Sequence, residues 1–167
     1  MSKGIMADGS LTIGLDLGDK YSEACVLEGS GEVLEGFRVR TSQAALDRAL
    51  GRFATARVVL EVGTHSPWVS RLLARQGHEV IVANPRRVRL IAESDAKSDE
   101  FDAELLARLG RLDPTLLSPI VHRGEEAQRD LVLLRIRDGL VRARTQLVNQ
   151  VRGFAKSLGT RLPGSSS

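Results

Sequence analysis

One cysteine, one tryptophan, one tyrosine and three histidines are all that 167 residues contain of these types. A single thiol, Cys25, excludes an internal disulfide and any cysteine-based zinc cluster. It alternates with apolar neighbours and reads as a small core residue. With aromatics at 4%, no platform of rings for stacking bases is indicated. No apolar run approaches the roughly 18 residues of a membrane span, and the polar start from Met1 to Ser10 is not a signal peptide. A cytoplasmic protein with no membrane contact is expected. Acid is missing from one whole region: from Gly139 onward there are five bases (Arg142, Arg144, Arg152, Lys156 and Arg161) and no Asp or Glu.

What is present describes an ordinary globular chain, 42% hydrophobic and 27% charged, long enough for one domain and an appendage. A net charge of +3 permits nucleic acid as a partner without demanding it.

Three strands are predicted first, Leu11–Leu17, Tyr21–Leu27 and Glu32–Arg40, forming an antiparallel meander. Thr41 or Ser42 then offers an N-cap to a helix through about Phe53. Arg57–Val62 is a continuous apolar run of the kind a buried parallel strand needs. Ser66-Pro67 opens a helix that Gly77 ends, and His78–Ala83 gives a fifth strand. A short helix over Pro85–Ala92 and another from Asp99 to about Leu109 follow. From Glu125 to Leu158 apolar residues recur at threes and fours (Leu133, Ile136, Leu140, Ala143, Leu147, Val151, Phe154, Leu158), predicting one long, coiled-coil-like helix. The expected organisation is a flexible lead (1–10), a domain (11–118), the long helix (119–160) and a tail (161–167). A meander followed by α/β units predicts an α/β fold, a mixed five-stranded sheet with flanking helices, followed by a long C-terminal helix. Ribonuclease-H-like nucleases and actin-like ATPases both have this pattern.

Asp16 stands in the middle of the first apolar strand, where a charge is costly unless something compensates it. It could be a metal ligand, a phosphate-facing acid or half of a structural ion pair. Glu61 is a second carboxylate in an apolar strand. Asp99 and Asp102, three residues apart, share one helix face, though acids in a first turn also complement the helix dipole. The first and fourth strands are expected to be neighbours, which brings Asp16 close to Glu61. Four converging carboxylates repel one another unless a hard divalent cation joins them, Mg²⁺ above others.

The segments GLDLGDKYSEACVL, LEVGTHSPWVSRLLARQGHEVIVANPRRVRLI and KSDEFDAELLARL resemble the amino-terminal domain of DEDD-type insertion-sequence transposases, and RARTQLVNQVRGFAKSLG extends the likeness to about Pro163. That domain resembles the Holliday-junction resolvase (RuvC-like) form of the ribonuclease-H-like fold. The resemblance implies Mg²⁺ held by Asp16, Glu61, Asp99 and Asp102, with these four as the catalytic residues of DNA strand cleavage and transfer. It also implies DNA and a structured guide RNA as partners. Family members continue into a domain bearing a serine nucleophile; here the sequence stops after Arg161-Leu162-Pro163 and a short tail, so a truncated half, inactive alone, is expected. Glu100 replaces the Arg that the family commonly has between its two Asp residues.

Arg86, Arg87 and Arg89 follow a strand end and either grip a phosphate backbone or form a solvated face. Arg142, Arg144 and Arg152 on the long helix pose the same choice, and Lys97 could neutralise a phosphate or be an ordinary surface lysine. Trp68 reads as core and His65 as a residue lining the site. The long apolar seam predicts a homo-oligomer, or docking to a further domain. Two other functions fit the residues: a non-catalytic nucleic-acid-binding or oligomerisation module, and an actin-like ATPase or sugar-kinase fragment. The second is opposed by the lack of a second Gly-rich phosphate loop.

Overall fold

The structure, a computed structural model, describes residues 10–91 and 99–163, and the side chains of 89–91, 99 and 100 are not described. Five strands, β1 (Thr12–Asp16), β2 (Tyr21–Leu27), β3 (Val33–Arg40), β4 (Arg57–Glu61) and β5 (Glu79–Ala83), form one sheet in the order β3-β2-β1-β4-β5. β2 runs antiparallel to both neighbours, whereas β1, β4 and β5 are parallel. This is the ribonuclease-H-like arrangement, with helices on both faces.

Alternation along the strands assigns each residue to a face. Ile13, Leu15, Val26, Val58 and Leu60 point to one side, where they meet Leu46 and Leu50 of α1 (Gln43–Leu50) and Val69 and Leu73 of α2 (Ser66–Arg75). The opposite side is covered by α4 (Asp99–Leu112), which follows the short α3 (Pro85–Ile91). Here Val59 and Ile81 pack with Leu106 and Leu109, and Cys25 and Leu27 pack with Ala103 and Ala107. Gly14 permits this approach: a Cβ at that position would lie 1.9 Å from the Ala103 carbonyl oxygen.

Several boundaries differ from the sequence expectation. β1 stops at Asp16 because residues 17–20 form the turn, held by the Thr41 hydroxyl donating to the Gly18 carbonyl (2.9 Å). Asp16 is therefore the last residue of its strand and only half-buried, not a mid-strand buried acid. α1 ends at Leu50 instead of Phe53, whose ring leaves the helix line to stack on Phe37 with centroids 6.3 Å apart. Gly77, at φ 88°, ends α2 after Gln76. His78 precedes β5 and accepts the Ala56 N–H on Nδ1 (3.2 Å). α4 runs three residues beyond Leu109 before Asp113 caps a 3-10 turn, Pro114–Leu117.

The chain divides into two compact units between His122 and Arg123, so the first unit extends past residue 118. Ile120 donates its N–H to the Val82 carbonyl (2.9 Å), and His122 bonds Ser66. The second unit is α5, Glu125–Ser157. Its 33 residues extend about 50 Å. Glu125 and Glu126 in its first turn and Lys156 in its last complement the helix dipole. None of its residues is buried within the chain, and the predicted seam is open, with Leu140 66% and Phe154 71% exposed. No described helix is long and apolar enough to cross a membrane.

Candidate metal and nucleic-acid site

β1 and β4 are in register from Thr12↔Arg57 to Leu15↔Leu60. Carried one residue further, the same register sets Asp16 opposite Glu61, at the carboxyl ends of adjacent parallel strands. Such strand ends are where open α/β sheets hold ligands. Glu61 in turn pairs with Ala83, Asp16 with Glu23, and Glu23 with Arg38. One rung thus crosses all five strands as Ala83–Glu61–Asp16–Glu23–Arg38, neighbours lying about 4.8 Å apart. All of its side chains stand on the face covered by α4, because Asp16 shares the side of Gly14, and Glu61 that of Val59.

The direction of α4 follows from its contacts. Arg57, at the far end of β4, donates to the Gly110 carbonyl (3.0 Å) and pairs with Glu79 (3.0 Å). Gly14, one turn of chain nearer the acids, lies against Ala103 and Ala107. α4 therefore runs opposite to β1. The two residues from Gly14 to Asp16 advance about 7 Å, the length of roughly four helical residues. Asp16 is accordingly level with the first turn of α4, which begins at Asp99 and includes the half-buried Asp102. The backbone places both helix acids on the same side of the sheet, and at the same end, as Asp16 and Glu61. The Asp99 side chain lies outside the described residues. Among the described residues no three His, Cys, Asp or Glu side chains form a metal-binding group.

The chemistry of this donor set is nonetheless specific. Two carboxylates on adjacent strand positions repel each other. Carboxylate oxygens are the donors that Mg²⁺ and similar hard cations take. Glu23, which sequence reading passed over, adds a further acid to the rung, and Arg38 meets it with an ion pair of 3.2 Å.

The loop after Glu61 is rigidly braced. Ser66 donates to the Gly63 carbonyl (2.9 Å), accepts the Gly63 N–H (3.0 Å) and bonds His122 Nε2 (2.9 Å). Burial, and secondarily the charge of Arg71, lower the His122 pKa. Trp68, expected in the core, packs partly against it while its indole N–H donates to His65 Nδ1 (3.1 Å). That bond leaves the proton on Nε2, which lies 3.9 Å from an Asp19 oxygen in the β1–β2 turn. His65 thus sits between the two loops that follow Asp16 and Glu61.

The basic residues separate. Arg86 and Arg87 are exposed at the start of α3, directly after β5 and so at the acid end of the sheet. The Arg89 side chain and Lys97 lie outside the described residues. On α5, Arg142 pairs with Asp138, Arg152 donates to the Pro163 carbonyl (3.5 Å), and Arg144 is exposed. These three belong to the second unit. Cys25 is buried, and desolvation, with the charge of Glu104 adding to it, raises its pKa.

A transposase family model, that of the DEDD transposases of the IS110 group, matches residues 13–159. The transposase of insertion sequence IS1328 from Yersinia enterocolitica is 30% identical over 152 residues, 90% of this chain and 44% of that protein. The transposase of IS1111A from Coxiella burnetii is 26% identical over 148 residues, 88% of this chain and 39% of that one. The chain thus spans less than half the length of these curated relatives. Among solved structures, that of Thermus thermophilus RuvC is similar at a TM-score of 0.43 and 19% identity, over 62% of this chain and 98% of that one. With a family model matching 13–159, nearly its whole length, this chain belongs to the DEDD transposases of the IS110 group.

Proposed function

We propose that the chain is the carboxylate-bearing domain of a DNA transposase, binding Mg²⁺ through Asp16, Glu61, Asp99 and Asp102 to act on a phosphodiester. The family implies a DNA substrate and a divalent metal ion; the proposal adds Mg²⁺ and these four ligands. The observation that carries it is the rung of acids at the carboxyl ends of β1 and β4, with α4 beginning over the same face. When bound, the metal would activate the attacking oxygen and stabilise the leaving one. Arg86 and Arg87, exposed at that end of the sheet, suit the flanking phosphates, and His65, with its tautomer set by Trp68, presents an N–H in the loop after Glu61. Arg89 and Lys97 are further candidates for the same task. A guide RNA is a partner on family grounds alone. The nucleophilic serine that the family resemblance implies is assigned to no residue here, so complete recombination is not ascribed to this chain by itself.

Calorimetric titration with Mg²⁺ tests the reading. Wild type should bind in the millimolar range or tighter, and Asp16→Asn or Glu61→Gln should weaken binding at least tenfold with the melting temperature preserved. If both variants bind as wild type does, the assignment fails.

A second reading concerns α5. Its open apolar seam of about 50 Å supports pairing with a second copy, giving a homo-oligomer. Sedimentation should then show an oligomer that Leu140→Asp together with Leu147→Asp converts to monomer; a monomeric wild type would reject this reading.

A further inference from the structure

We propose that Tyr21, Arg38 and Arg40 form a seat for single-stranded nucleic acid, a base resting on the Tyr21 ring and phosphates on the two guanidiniums. The proposal rests on the nucleic-acid reading above and adds residues that it does not use. Tyr21 opens β2, and its direct partner on the edge strand β3 is Arg40. Arg38 lies two residues back along β3, so all three side chains share the α4 face of the sheet. The Arg38 guanidinium carbon is 4.7 Å from the Tyr21 ring centroid, and that of Arg40 is 6.0 Å away. Tyr21, the only tyrosine of the chain, remains 43% exposed with the two guanidiniums over its ring.

Position makes this trio more than an edge-strand ornament. Arg38 is the end member of the rung that holds Asp16 and Glu61, two strand spacings from Asp16, or about 10 Å. Tyr21 and Arg40 lie one pleat further toward the turn that follows Asp16. A chain gripped here passes the carboxylates without leaving the α4 face of the sheet. Exposed rings take bases only where the base face is free, which selects a single strand over a duplex. Arg38 is shared with Glu23 (3.2 Å), so Arg40 carries the larger part of the phosphate contact.

The test uses the whole chain and fluorescence anisotropy in EDTA, which keeps it separate from the metal site. Two probes of equal length are compared, oligo(dT) and the corresponding abasic phosphodiester. Tyr21→Ala should weaken oligo(dT) binding by about five- to hundredfold while leaving the abasic probe unchanged. Tyr21→Phe should bind like wild type. Arg40→Ala should weaken both probes and lower the slope of log affinity against log salt by about 0.7, the value for one single-strand phosphate contact. Tyr21→Leu keeps the apolar volume and guards against misfolding; folded by its melting curve, it should lose oligo(dT) as the Ala variant does. Equal affinity of wild type and Tyr21→Leu for oligo(dT) would overturn the proposal, as would an Arg40→Ala salt slope identical to wild type. Because no metal is present, either failure leaves the Mg²⁺ reading untouched.

Discussion

Replacing Gly14 by Ala would test the placement of α4 on the sheet and, through it, the site. The added methyl would stand 1.9 Å from the Ala103 oxygen and 2.6 Å from the Ala107 nitrogen. Both are backbone atoms of the helix, so no side chain can turn aside. Ordinary contact requires the helix to retreat by about 1.5 Å. Overpacking of this kind costs about 3 kcal/mol, which for a chain of this size is a fall of roughly 10 °C in melting temperature. Gly110→Ala is the control, because its methyl would meet Val59 Cγ2 at 2.2 Å, a side-chain atom. Adding Val59→Ala removes that atom, so the pair should be less destabilised than the sum of the two single changes, by about 1 kcal/mol in a double-mutant cycle. No side-chain truncation can rescue Gly14→Ala in this way. Urea denaturation measures all four variants. The second readout is Mg²⁺ affinity: a displaced α4 moves Asp102 away from Asp16, so Gly14→Ala should bind more weakly even where fully folded. A Gly14→Ala protein within 0.5 kcal/mol of wild type, or one with unchanged Mg²⁺ affinity, would refute the packing argument.

Two further outcomes are expected. His122 has a lowered pKa in the fold, so between the folded and unfolded values the unfolded chain binds more protons, and stability rises with pH there. The stabilisation is present above the unfolded value and lost as pH falls through the folded one. Melting temperature should therefore drop on acidification below neutrality, and His122→Gln, which keeps a donor for Ser66, should flatten that slope; an unchanged slope would argue against the role of His122. Cys25, buried with a raised pKa, should react with a thiol reagent only at the rate of unfolding. Rapid native labelling would contradict its place beneath α4.

Most of the elements were readable from periodicity because each has one apolar face. β2 has the predicted bounds, and β4, β5, α2 and α5 come within a residue or so. The neighbouring of β1 and β4 was also expected, from handedness alone. What escaped sequence reading depends on register. Asp16 looked central because Leu17 is apolar, but Leu17 belongs to the turn, and only the turn's exact centre decides which residue of β2 lies across from Asp16. Glu23 and Tyr21 drew no functional reading from the sequence, because only the pairing of β2 with both neighbours puts them beside the acids. His122 could not be connected with Ser66, 56 positions earlier, by any local rule. Lys97 and the side chains of Arg89 and Asp99 lie where the structure gives no description.

The four-residue connection between Asp16 and Tyr21 has a consequence for how such domains can diversify. β1 is in register with β4 up to Leu15, just before Asp16, whereas Glu23 and Tyr21 take their places beside Asp16 from the length of that connection. Lengthening it would slide the second strand past a stationary acid pair and exchange the residues that flank it. The part of the molecule that would perform chemistry and the part that would choose what reaches it are thus geared to different neighbours, and one can change while the other stands still.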